Sequence, residues 1–295
     1  MKIFDCFMYF DEDMILDLRL NILNEYVDNF VIVESIYNHK GEKRELKFNP
    51  KKFENFKDKI IYLIYDEIPL EVESISDNES EVEKSGKLIM NALHRESGQR
   101  NFITNGLKNA NSEDIILISD VDEIPNLENI IFDKIKKKII FFNQDMLYYK
   151  FNLKLPNLVW TGTRGCKKKY LRSPQWIRNI KDRKYPFYRL DAFFSEKKFI
   201  NCEIIKNGGW HFTNIKNAIE IQHKLRSYLH HIEFDKNPLT IDKINEIIEK
   251  KKAIYNLTAD KREDKFEGSK LENYPLKKLP KFLIDNLNNY KQWMD

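Results

Sequence analysis

The sequence predicts an α/β fold built on a mainly parallel central sheet. Two observations carry that reading. Short apolar runs alternate with helix-period segments through the first half of the chain. The runs at 30–33, 60–65 and 115–118 are almost continuously apolar, as strands covered on both faces are.

The elements follow in order. "IFDCFMYF" at 3–10 reads as the first strand. Ile15, Leu18, Ile22 and Tyr26 then recur at spacings of three and four, with Asp11 or Asp13 placed to cap a helix. The run at 30–33 completes a βαβ unit. The segment 71–86, "EVESISDNESEVEKSG", is acidic and poor in large apolar residues, so a surface loop is expected there. "SGQRNFITNGLKN" suggests a helix opened by Ser97 or Gly98, with Arg100 in its first turn. A fifth strand is expected at 139–142, running on into the Tyr-rich "DMLYYKFN". Residues 164–189 hold ten Lys/Arg against the single acid Asp182, interleaved with Tyr170, Trp176, Tyr185, Phe187 and Tyr188. That pattern predicts a cationic, aromatic-lined loop that closes over a bound anionic ligand. Beyond residue 213 the pattern turns helical: Ile221, Leu225 and Leu229 share a face, Thr240 caps "IDKINEIIEKKKAI", and "LPKFLIDNLNNYKQWM" closes the chain. The expected organisation is a catalytic domain over 1–212 with a helical region, 213–295, packed on it.

Lys and Arg number 50 against 46 Asp and Glu, and the resulting +4 creates no demand for nucleic acid. Cys6, Cys166 and Cys202 form no close pair, which argues against a disulfide framework or a zinc site and for a reducing compartment. The N-terminal "MKIFDCFMYFDEDMI" is broken by Asp5, Asp11, Glu12 and Asp13, so it lacks the apolar core of a signal peptide. No apolar run approaches the ~20 residues of a membrane span. A soluble, cytoplasmic protein is expected.

The chemistry concentrates in "ILISDVDEIPN", where Asp120, Asp122 and Glu123 follow the fourth strand. Two like charges at ~4 Å repel by about 1 kcal/mol in water and about 4 at an effective dielectric of 20. Such a cluster calls for positive charge, and removing one acid should leave the chain no less stable. Ligands of open α/β sheets bind outside the carboxyl ends of strands, where these acids fall. Asp120 and Asp122 project to one side of an extended segment, and Pro125 keeps a helix from starting among them, so the acids stay on a loop. Hard oxygen ligands of this kind suit Mg²⁺ or Mn²⁺ bridging a carboxylate to substrate phosphates.

"FDCFMYFDEDMILDLRLNIL", "VIVES", "ISDVDEIP", "GGWHFT" and "KLRSY" together resemble the family of β-1,4-mannosyl-glycoprotein β-1,4-N-acetylglucosaminyltransferases, which adds the bisecting N-acetylglucosamine to N-glycans. The resemblance spans most of the chain from Phe4 to about Tyr228. It implies a GT-A-like nucleotide-sugar fold, a UDP-N-acetylglucosamine donor, a glycan or glycoconjugate acceptor, a DxD metal site and transfer with inversion. Asp120 and Asp122 are then the metal acids, Asp122 foremost, with His211 a third ligand to Mn²⁺. Glu123 is expected behind them or against the donor sugar. Arg100 is a diphosphate contact, Glu34 and Ser35 face the nucleotide, and Trp210 offers a flat surface to a sugar or base. The general base must be a carboxylate near the acceptor; Asp191 and Glu203 are placed for it between the cationic segment and His211. His230 and His231 are expected in structural or surface roles.

Two other readings compete. A metal-dependent nuclease or phosphotransferase would use the same acids, with the cationic segment holding phosphates and further acids at other strand ends. An RNA-binding protein would use the alternating cations and aromatics for phosphate contact and stacking, although no nucleic-acid partner is expected from the charge balance.

Overall fold

The computed structural model describes residues 1–183, 185, 188, 195–198, 201–227, 238–254 and 268–295. Strand β1 (Ile3–Tyr9), helix α1 (Asp13–Leu23) and strand β2 (Asn29–Ser35) form the expected βαβ unit, with β1 and β2 parallel. Strands β3 (Ile60–Tyr65) and β4 (Ile115–Asp120) extend it to the parallel order β3-β2-β1-β4. All four end at one edge, so the carboxyl ends of β1, β2 and β4 place Tyr9, Ser35 and Asp120 side by side. Burial explains the register. Cys6, Val31 and Ile118 fill the core on one face of the sheet, and Phe7, Ile32 and Leu117 fill the other.

The rest of the sheet is mixed. Short β5 (Glu123–Pro125) follows β4 directly, and β6 (Ile139–Tyr148) and β7 (Leu153–Lys167) form a long antiparallel pair whose second strand docks on β4. Strand β8 (Cys202–Ile205) runs parallel beside the start of β6, and β9 (Gly209–Thr213) runs parallel beside its end. β5 pairs with β9 and closes the path β3-β2-β1-β4-β7-β6-β9-β5. Pro125 sits in this last strand, where a missing N–H is tolerated. The expected loop of acids is therefore a tight turn between two strands.

Other expectations change as well. Helix α2 (Glu81–Phe102) begins inside the acidic segment, because Ser80 and Glu83 form a capping box. Arg100 consequently lies in the last turn of a long helix, not the first turn of a new one, and there a cation suits the helix dipole. Part of the cationic segment is regular structure: residues 164–167 belong to β7, and Ser173 caps helix α3 (Pro174–Asn179). Phe187 and Arg189 lie outside the described residues. The C-terminal region supplies helices α4 (Ala218–Ser227), α5 (Ile241–Glu249) and α6 (Lys281–Asp285), but it also adds strand β10 (Glu272–Asn273) to β7. Its Tyr274, Leu279, Leu283 and Tyr290 join the core beneath α1. The three cysteines are buried free thiols. Among the described residues no helix is long and apolar enough to cross a membrane.

Candidate active site

The acidic turn is fixed from below by Arg19. This residue stands on the apolar face of α1 among Ile15, Leu18 and Leu23 and is completely buried. Its guanidinium makes a two-pronged ion pair with Asp5 of β1, at 2.7 and 2.6 Å, and donates to Ser119 Oγ at 2.5 Å. The remaining nitrogen, Nη1, reaches the carbonyl oxygens of Asp120, Val121 and Glu123 at 3.0 to 3.1 Å. One buried cation therefore gathers the backbone of the turn. A buried guanidinium is tolerated only when paired and hydrogen-bonded, and here every prong is used.

Two more arginines hold the side chains from above. Asp120 accepts from Arg100 at 2.9 Å through Oδ1 and from Arg178 at 3.1 Å through Oδ2. Arg178, at the end of α3, also clasps both oxygens of Glu123 at 2.7 and 3.0 Å and the Gly162 carbonyl at 2.6 Å. Arg100 is anchored in turn by Glu96 at 2.7 Å and Gln175 at 2.5 Å. Glu123 is fully buried, and its two oxygens further accept from the Trp160 indole and the Asp120 amide at 2.7 and 2.9 Å. Burial raises the Asp120 pKa, but Arg178 and Arg100 outweigh it and hold the carboxyl well below its ordinary range. The chain thus supplies much of the positive charge that the acids require.

Asp122 is held differently. Its Oδ1 lies 3.5 Å from His211 Nε2 and its Oδ2 3.8 Å from Lys224 Nζ on α4. Burial raises the Asp122 pKa, and His211 and Lys224 together turn the shift downward. For His211 burial lowers the pKa, while Asp122 and Glu123 bring it above its ordinary value. A glycine makes this meeting possible. Gly209 has φ +133°, and a Cβ there would stand 2.1 Å from the Ile124 carbonyl. With no side chain in the way, β9 lies against β5 and sets His211 directly across from Glu123. Trp160 lies against the His211 ring, centroids 5.1 Å apart.

This donor set can serve a divalent ion in one way. Among the described residues no group of three or more His, Cys, Asp or Glu side chains is arranged to hold a metal. Asp122 and His211 do form a facing carboxylate and imidazole pair, and among the described residues the buried Nδ1 of His211 has no hydrogen-bond partner. A pair of that kind fits an ion that completes its shell with substrate phosphate and water. Asp120, with one guanidinium on each oxygen, belongs to the arginine network instead.

The other expected site residues scatter. Ser35 ends β2 at the correct edge. Glu34 is wholly buried, accepts from the amides of Lys47 and Phe48 and from Tyr62, and forms an ion pair with Arg44, which makes it a structural acid. Trp210 faces the opposite side of β9 from His211; its ring lies in the main core and its indole donates to the Lys278 carbonyl at 2.8 Å. The tryptophan beside the histidine is Trp160. Glu203 pairs with Ile140 of β6 while His211 pairs with Met146, six residues along the strand. That separation is roughly 20 Å at ~3.3 Å per residue, so Glu203 is not at the site. Asp191, His230 and His231 lie outside the described residues.

The model of glycosyltransferase family 17 matches residues 1–294. The β-1,4-mannosyl-glycoprotein 4-β-N-acetylglucosaminyltransferases of Homo sapiens and Rattus norvegicus are each 26% identical to this chain over 190 residues. The match covers 61% of this chain and 32% of each relative, so the chain spans about a third of their length. Its α/β architecture with a mainly parallel sheet is consistent with a GT-A-like fold. Matched along essentially its whole length, the chain belongs to glycosyltransferase family 17.

Proposed function

We propose that this protein is a metal-dependent, inverting glycosyltransferase that moves N-acetylglucosamine from UDP-N-acetylglucosamine to a hydroxyl of a glycan acceptor. The observation that carries the reading is the Asp122, His211 and Lys224 group at the carboxyl end of the parallel strands, in a chain of this family. A divalent ion bound with the donor would stabilise the charge that develops on the departing diphosphate. Asp122 and His211 would hold it. Arg19 fixes the backbone of the turn, Arg100 and Arg178 fix Asp120 and Glu123, and Asp122 is left to His211 and Lys224. Such preorganisation is what electrostatic catalysis requires, because the charges need not rearrange as the bond breaks. Glu123, with four donors on two buried oxygens, supports this frame and has no oxygen to spare for an acceptor proton. Asp191 is our candidate for the base, by its position in the sequence alone.

The rival readings each meet a specific obstacle. A nuclease would need a further acid at a neighbouring strand end, and Glu34, at the end of β2, is consumed by four internal partners. An RNA surface would need outward cations, yet Arg164 donates to the carbonyls of Ile177, Arg178 and Ile180, and Arg178 turns into the acidic turn. The test is a donor screen: the protein is incubated with Mn²⁺ and each UDP- or GDP-sugar, and nucleotide release is measured. Release from UDP-N-acetylglucosamine, abolished by EDTA, is expected. Full activity in excess EDTA, or exclusive use of a GDP-sugar, would refute the assignment.

A further inference from the structure

A cleft of about 280 Å³, counted with its open mouth, lies at the ends of β2 and β3, on the same sheet edge as the acidic turn. Ser35, Tyr37, Gly41, Tyr65, Glu67 and Arg95 line it. Ser35 and Tyr65 pair at the last step of the two strands. The chain then folds back beyond β2, where Tyr37 bridges Lys43 and Asn38 and Glu42 bind each other through hydrogen bonds of 2.6 to 2.9 Å. Arg95 of α2 reaches this hairpin and donates to the His39 carbonyl at 3.1 Å. Gly41 gives the guanidinium room, since a Cβ there would stand 2.6 Å from Arg95 Nη2. Arg19, Arg44, Arg100 and Arg178 each pair with a carboxylate. Among the described residues Arg95 pairs with none, and burial, with no acid to offset it, lowers its pKa.

We propose that this cleft receives the uracil ring of the donor, Arg95 donating to a ring carbonyl and Glu67 accepting from the imide N–H, so that these two residues select the base. The inference rests on the donor site proposed above. A cation and an acid that share a cleft without pairing disfavour a ligand of one charge there and suit a neutral one with acceptors beside a donor. Uracil has that edge, an N–H between two carbonyls. Cytosine presents a bare ring nitrogen and an amino group instead. Tyr37 and Tyr65 add aromatic surface of the kind on which bases stack. The spacing agrees with the rest of a nucleoside diphosphate. Ser35 stands two strands from Asp120 in the order β2-β1-β4, roughly 10 Å at ~4.8 Å per strand. Arg95 precedes Arg100, which holds Asp120, by about 7.5 Å along α2. A ribose and two phosphates span such a gap.

The test is calorimetry of UDP and of CDP, each with Mn²⁺, on the intact wild type, Arg95→Met and Glu67→Gln. The wild type is expected to bind UDP at least tenfold more tightly than CDP, because cytosine would leave Arg95 and Glu67 without matching partners. Arg95→Met is expected to lose about tenfold in UDP affinity, the loss of one charged hydrogen bond, and Arg95→Lys to recover part of it. Glu67→Gln, whose amide can donate to cytosine, is expected to bring UDP and CDP within about threefold of each other. The ratio is the quantity read there, since removing a negative charge acts on both diphosphates alike. Thermal unfolding checks that each variant is folded, and Glu67 is exposed, so its exchange leaves the core untouched. Equal affinity of the wild type for UDP and CDP, wild-type UDP affinity in folded Arg95→Met, or an unchanged ratio in Glu67→Gln would overturn the base site while leaving the donor site standing. A wild type that binds neither nucleotide would overturn the donor site itself.

Discussion

Asp120 and Asp122 are two residues apart, yet the structure gives them different work. Asp120 is a knot in an arginine network, whereas Asp122 faces a histidine and a lysine. The simple expectation of mutual repulsion fails here, because the cations that relieve it come from α1, α2, α3 and α4, distant in sequence. Asp122→Asn is therefore expected to lower the stability of the ligand-free protein, by about 1 kcal/mol for a mostly buried pair. Urea unfolding decides the sign, and a more stable variant would mean that the acids still repel on balance. Arg19→Met is the harsher change. It leaves the Asp5 carboxylate buried beside no cation, and losses of about 3–5 kcal/mol are typical of such a break. A loss under about 1 kcal/mol in the same experiment would show that Arg19 is not what holds the turn. Both Asp5 and Arg19 are visible in the sequence as charged residues inside apolar patterns, a signal that burial with a partner explains.

At the scale of elements, β5 and β9 create the site by pairing across Gly209. Gly209→Ala would place a Cβ 2.1 Å from the Ile124 carbonyl at a left-handed φ, so the variant is expected to lose about 2–3 kcal/mol and to bind UDP poorly as His211 shifts. Thermal unfolding together with UDP titration checks both parts; a variant of wild-type stability and affinity would mean the close approach is not needed. How legible each element was depends on its physics. The parallel strands β1 to β4 were readable because burial on both faces leaves continuous apolar runs. Strand β7 was not, since "LKLPNLVWTGTRGCK" carries a proline, two glycines and an Arg164 that turns to backbone carbonyls, and its cations resemble a loop. The start of α2 was hidden because its first turn is acidic, which suits a helix N-terminus as well as a solvated loop. Asp122 and His211 were found by motif, while the network around them rests on contacts such as Arg178 with Glu123, 55 residues apart, that no local pattern encodes.

For the whole molecule, the network sets an acid limit to stability. Arg178 and Arg100 depress the folded-state pKa of Asp120 against the upward push of burial. A carboxyl depressed on folding stabilises the protein fully above its unfolded value, about 3.9, and that contribution is lost as pH falls below it towards the folded value. The urea midpoint of the wild type is therefore expected to fall below about pH 4, and Asp120→Asn should flatten that limb; parallel curves for the two proteins would contradict the assignment. The α/β frame, the arginine-bound turn and the Asp122 and His211 pair support one proposal, that the acidic turn receives a nucleoside diphosphate. The most direct test is a calorimetric titration of UDP in Mn²⁺ into the wild type, Asp122→Asn and Glu203→Gln. Binding by the wild type and by Glu203→Gln, with a loss of about tenfold or more in Asp122→Asn, is the expected result. Equal affinity in all three proteins, or no binding by the wild type, would contradict it.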